Sequence, residues 1–136
     1  MKHLLACLFL LAPAASFAEP LRDDHPLIGA WKFTMPGGAC EEIYRIGKDG
    51  SMRVSSFEEE TESTIRISDH FSTKGYFRWD DKVVKSNGKK DCAGEGTPVG
   101  DEATNYIFLD PSWKMFLLCS EETLNHCIGP FIKLKE

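Results

Sequence analysis

Apolar and polar residues alternate along this chain in short bursts, and turn chemistry ends each burst before it reaches helical length. In "STIRISD" (63–69), Ile65 and Ile67 fall on one side and Arg66 and Ser68 on the other, the two-residue period of a half-buried strand. "LIGAWKFT" (27–34) runs into the turn "MPGG". "CEEIYRIG" (40–47) and "SMRVSSF" (51–57) flank "KDG", where Gly50 suits the positive φ of a tight hairpin. "GYFRW" and "KVVKS" are separated by Asp80-Asp81, read as a further hairpin-sized link. "TNYIFLD" and "WKMFLLC" are joined through Asp110-Pro111-Ser112, and "CIGPFIKLK" closes the chain. No segment carries a sustained helical stripe.

Eight or nine short strands in series describe an all-β fold, a small antiparallel meander β-barrel rather than a sandwich. One connection is long: "NGKKDCAGEGTPVGDE" (87–102), rich in glycine and charge, the kind of loop that is usually functional or flexible. Strand parity gives an expected lumen. Gly29, Trp31 and Phe33 share a face, as do Cys40, Glu42, Tyr44 and Ile46, and Phe77 and Trp79 oppose Tyr76 and Arg78. In the last strand, Ile132 and Leu134 are expected inside and Lys133 and Lys135 outside. The hairpin of strands 103–109 and 113–119 is apolar on both faces, so one face needs a cover or a partner.

Residues 1–18, "MKHLLACLFLLAPAASFA", have the basic start, apolar centre and small-residue cleavage site of a secretory leader. Residues 19–136 then form a single domain. The whole chain has a formal net charge of −5, and losing Lys2 with the leader makes the remainder more acidic. With no basic cluster, the chain matches neither phosphate backbones nor anionic lipid, and no nucleic-acid partner or membrane insertion is expected. Cys40, Cys92, Cys119 and Cys127 remain, an even set that reads as two disulfides of an exported, periplasmic or extracellular protein. The pairing is open among three connectivities. Joining Cys119 to Cys127 would clip the short loop "SEETLNH" and leave Cys40 for Cys92.

Gly29-Ala30-Trp31, at the start of the first strand, resembles the Gly-x-Trp signature of lipocalins. More broadly, "GAWKF", "CEEIYRIGKDGSM", "GKKDC" and "LLCSEETLNHCIGPF" resemble a group of small exported bacterial lipocalin-like (calycin-type) β-barrel proteins. The resemblance implies fold and compartment only. The Gly-x-Trp resemblance to lipocalins by itself implies that Trp31 plugs one end of the barrel, with Gly29 passing beneath and Lys133 or Lys135 packing over the ring.

Candidate chemistry is sparse. Glu42 shares parity with Tyr44; inside the barrel it would anchor a ligand, and at a splayed strand end it would be solvated. Phe33, Tyr44, Trp79, Tyr106 and Trp113 are the aromatic residues placed around a ligand, though core filling accounts for aromatic residues equally well. His25, His70 and His126 stand in separate loops without metal-ligand spacing and read as surface residues. "EEETE" (58–62) lacks the spacing of a calcium loop and reads as a solvated turn. There is no nucleophile elbow, and paired cysteines leave no free thiol, so neither an enzyme nor a metal or other cofactor is expected. The expected function is non-catalytic binding of a small, partly apolar molecule at the open end of the barrel. The alternative is an interaction or inhibitor module that engages an envelope protein through its loops and an outer face of Ile107, Leu109, Phe116 and Leu118.

Overall fold

The computed structural model describes residues 17–136, so the leader expected over residues 1–18 lies almost wholly outside the described residues. Eight strands follow one another: β1 Gly29–Thr34, β2 Glu41–Ile46, β3 Ser51–Ser56, β4 Glu59–Ile67, β5 Phe77–Ser86, β6 Glu102–Leu109, β7 Met115–Cys119 and β8 Cys127–Lys133. Each strand pairs antiparallel with the next, and β1 pairs with β8, so the meander closes into a barrel. Closure removes the sheet edges and divides every strand into lumen-facing and outward-facing positions. Two disulfides join Cys40 to Cys92 and Cys119 to Cys127. Both pairs lie at the end where β1 finishes and β2 begins, called here the open end. Such cross-links fit an oxidising compartment.

Two expected breaks are absent. Asp80-Asp81 is no link: β5 runs unbroken through it, pairing with β4 on one side and β6 on the other. Two adjacent carboxylates are tolerated there because a strand sends them to opposite faces. Nor is 58–62 a solvated turn. The hairpin uses only Phe57 and Glu58, with Phe57 at φ 54°, and Glu59 opens β4 as a residue only 4% exposed.

One half of the barrel is filled by rings. Trp31 meets Phe116 edge-on at 4.8 Å, Phe116 stacks on Phe131 at 4.6 Å, and Phe131 stacks on Phe33 at 4.9 Å. Leu27, Ile65 and Ile107 pack into the same core. Trp31 is wholly buried, and its Nε1–H donates to the Leu27 carbonyl at 2.9 Å, so the indole brings no unpaired donor with it. Gly29, at φ 123°, leaves the space that the Lys133 chain crosses: a Cβ there would stand 3.4 Å from Lys133 Cε.

The parity expected for β8 is reversed. Phe131 faces the lumen, fully buried, and Ile132 faces outward at 40% exposure. Lys133 shares the inward parity yet sits at the rim, with its ammonium 5.1 Å from the Trp31 ring and donating to the Pro26 carbonyl at 3.1 Å. A long stem allows that placement, because it covers apolar surface while its head reaches a polar partner. Burial draws the Lys133 pKa below its usual value.

The face expected to be outward on β6 and β7 is likewise the inner one. Ile107 and Phe116 are buried, and Leu109 and Leu118 pack against the core. The outward residues are instead Tyr106, Phe108, Met115 and Leu117, with Phe108 paired to Leu117 and Met115 to Ile132. The plug yields a stability prediction. Trp31→Ala should lower the unfolding free energy by about 3–5 kcal/mol in urea titrations. Lys133→Met, which keeps much of the stem but removes the cation–π contact and the hydrogen bond to the Pro26 carbonyl, should cost less, about 1–3 kcal/mol.

Candidate functional site

Towards the open end the lumen is no longer packed with rings. A cavity of about 210 Å³ is walled by Glu42 and Tyr44 from β2, Ser56 from β3, Glu59 from β4, and Trp79 and Asp81 from β5, with Asn105 and Leu118 completing the side opposite β3. Alternation places them. Once β5 is continuous, Trp79, Asp81 and Val83 must share the lumen face, and on β4 Glu59, Thr61 and Ser63 share theirs.

The polar wall is ordered by its own hydrogen bonds. Glu42 accepts from the Tyr44 hydroxyl at 2.7 Å and from Ser56 Oγ at 3.1 Å. Ser56 Oγ in turn accepts the Cys92 amide at 3.0 Å, tying the long 87–101 connection to the mouth beside its disulfide. Glu59 accepts both the backbone amide and the hydroxyl of Thr97, fixing a second point of that loop. Asp91 turns its carboxylate on the loop's own amides at Ala93 and Glu95 while lining the cavity. The loop is therefore a structured rim. Burial, with Glu42 adding to it, pushes the Tyr44 phenol pKa well above its ordinary value, so Tyr44 remains a neutral donor.

Asp81 is different. Among the described residues no hydrogen bond or ion pair engages its carboxylate. Desolvation, with smaller contributions from Asp101 and Asp80, raises its pKa from 3.8 to about 6. Trp79 beside it is 2% exposed, and its Nε1–H has no acceptor. An unpaired buried donor costs about 1–3 kcal/mol, so this part of the wall is energetically unfinished.

The residues expected around a ligand divide into three groups. Glu42, Tyr44 and Trp79 meet at the lumen cavity. Phe33 belongs to the ring stack below and reaches a side opening of about 680 Å³, shared with Glu42, Tyr44 and Ile128, where the start of β8 diverges from β1. Tyr106 and Trp113 are not in the lumen. Tyr106 pairs with Arg78 on the outer face, and Trp113 lies in the β6–β7 turn at the far end, 55% exposed and at φ 60°. That turn is organised by the Asp110 carboxylate, which accepts from the Ser112 hydroxyl at 2.6 Å and the Met115 amide at 3.1 Å. Trp113 and Phe71 instead flank a second depression of about 320 Å³ outside the plugged end.

His25 is also not on the surface. It is 3% exposed, its Nδ1 accepts the Leu27 amide at 3.3 Å, and its Nε2 faces the Ser68 carbonyl at 2.9 Å. That pattern holds the neutral ring, and burial lowers its pKa from 6.5. Among the described residues no group of three or more His, Cys, Asp or Glu is placed to hold a metal ion. Asp81, Glu59, Asp91 and Asn105 were missed in the sequence: parity counted through an unbroken β5 finds Asp81, a β4 that starts at Glu59 finds Glu59, and the inward parity of Ile107 on β6 finds Asn105, whereas Asp91 lies in the loop, where strand parity gives no signal.

Comparison with protein-family models, curated proteins and solved structures returned no match to this chain.

Asp81 sets a measurable pH dependence. A carboxyl whose pKa rises on folding is destabilising when ionised, so its cost is full above about pH 6 and vanishes below the unfolded value of 3.8. His25 has the opposite sign: a lowered histidine pKa loses stability as pH falls below 6.5. The difference between variant and wild type isolates the first group. Asp81→Asn should raise the unfolding free energy by roughly 2–3 kcal/mol at pH 7.5, and the gain should disappear near pH 4 in parallel thermal melts.

Proposed function

We propose that this is an exported, lipocalin-like, non-catalytic binding protein that holds a small molecule in the open half of its barrel. The observation that carries the reading is the division of the lumen. Rings fill the half at Trp31, and a cavity of about 210 Å³ with an unfinished polar wall occupies the half beneath the disulfide-tethered loop. A barrel that only filled itself would be expected to continue its apolar packing through the mouth. Placement of Glu42, Tyr44 and Trp79 on one wall suits orientation of a ligand by a few polar groups and two rings. The expected small, partly apolar ligand would meet a strongly polar wall, which holds Glu42, Glu59, Asp81 and Asp91. The hydrophobic leader and paired cysteines support delivery to the periplasm or the exterior.

A second reading rests on Phe108, Met115 and Ile132, which are 36–43% exposed on adjacent outer strands and would suit contact with an envelope protein.

Native mass spectrometry of protein taken from its compartment without refolding separates the two. Lumen binding predicts a monomer with an added small mass that is lost when Tyr44→Ala and Trp79→Ala reshape the cavity. A protein complex that dissociates on Phe108→Asp, with no small mass, would favour the outer face instead.

A further inference from the structure

The lumen carries charge of one sign only. Four carboxylates, those of Glu42, Glu59, Asp81 and Asp91, border the cavity, and no lysine, arginine or histidine does. The cations of the neighbouring strands are on the outer face, where Arg53 and Lys85 pair with Glu62 and Lys82 pairs with Glu102. The inner carboxylates therefore lack the compensation that the outer ones have. Glu42, Glu59 and Asp91 at least accept hydrogen bonds from the protein; Asp81 accepts none among the described residues.

A second observation is independent of charge. The Trp79 indole, 2% exposed and part of the same wall, has a donor with no acceptor. An isolated cation would satisfy Asp81 and leave Trp79 unpaired. A metal ion also fails on geometry, since among the described residues no three ligating groups converge. What completes both groups is one molecule with a positive centre and, a few atoms away, an oxygen that accepts a hydrogen bond. The rings of Tyr44 and Trp79 would add cation–π attraction to such a centre.

Resting on the lumen-binding reading above, we infer that the ligand is a small organic cation, an alkylammonium that carries a hydroxyl or carbonyl oxygen, with Asp81 as its counter-ion and Trp79 as donor to its oxygen. Glu42 and Tyr44 form the facing wall.

Ionised Asp81 is required, and its titration is set by every group around it. Asp80 adjoins it on β5 and Asp101 precedes β6; across the lumen stand Glu42 and Tyr44 of β2, Glu59 of β4 and Asp91 of the loop. Arg66 and Arg78 lie on the outer side, engaged with Glu19 and Asp80. Cation binding should accordingly weaken as pH falls through about 6.

The test uses three molecules of nearly one shape: choline, the neutral 3,3-dimethylbutan-1-ol and the anionic 3,3-dimethylbutanoate. Each is titrated into the folded protein while the Trp79 indole and Asn105 side-chain NMR signals are followed. Choline should move both signals saturably, at least tenfold more tightly than the alcohol, and the anion should not move them. Asp81→Asn, verified as folded by the same spectra, should weaken choline at least tenfold, leave the alcohol unchanged and abolish the loss of affinity between pH 7.5 and pH 5. Equal or tighter binding of the alcohol or the anion at those signals would overturn the cation while leaving lumen binding intact. Signals unmoved by all three would overturn the cation, and the lumen reading falls as well if native mass spectrometry finds no bound small mass.

Discussion

The pairing of β1 with β8 is the constraint on which the rest depends. Trp31 opposite Lys133 and Phe33 opposite Phe131 close the ring of strands, and closure turns a sheet with two faces into a wall with an inside. Once there is an inside, each inward residue must be packed or paired. The chain answers differently at its two ends. At one, aromatic rings fill the bore and Lys133 seals the rim. At the other, carboxylates, hydroxyls and an indole donor surround a space, and a long loop is fastened over it by Cys92, Ser56 and Glu59.

Those two ends divide stability from function. The ring stack costs little in unpaired groups, since even the Trp31 indole finds the Leu27 carbonyl. The polar half contains the structure's least favourable arrangements, a carboxylate with a raised pKa and a buried donor without an acceptor. Local rules are broken in folded proteins chiefly where function requires it. In this barrel Trp79 and Asp81 occupy consecutive inward positions of one strand on the same cavity wall, while two other unpartnered buried atoms, Thr64 Oγ1 and Arg66 Nε, lie on β4 away from it.

Much of the fold was legible because side-chain alternation is a direct consequence of the pleat. "STIRISD", "GAWKF" and "KDG" each announce their structure locally, whereas the even cysteine count announced two disulfides and left their pairing to the structure. What misled was composition taken for geometry. Asp80-Asp81 looks like a turn because aspartates favour turns, yet a strand can send one carboxylate into the lumen and its neighbour to the outer face. Glu59 looked solvated within an acidic run, although Thr97 was waiting across space to pair with it. Ile132 and Leu134 looked inward-facing because lysines alternate with them, but Phe131 joins the ring stack and Lys133 follows its inward parity by reaching for Pro26. Of the candidate site, Glu42, Tyr44 and Trp79 could be found by counting. Asp81 could not be found once β5 had been cut in two.

The account turns on a polar, water-reachable cup above a dry aromatic floor, and hydration can be read directly from water-to-protein NOEs in solution. Ser56 and Asn105 should show contacts to long-lived water, and the rings of Trp31, Phe116 and Phe131 should show none. A lumen without hydration at Ser56 and Asn105, or water found among those rings, would contradict the division of the barrel into a filled half and a binding half.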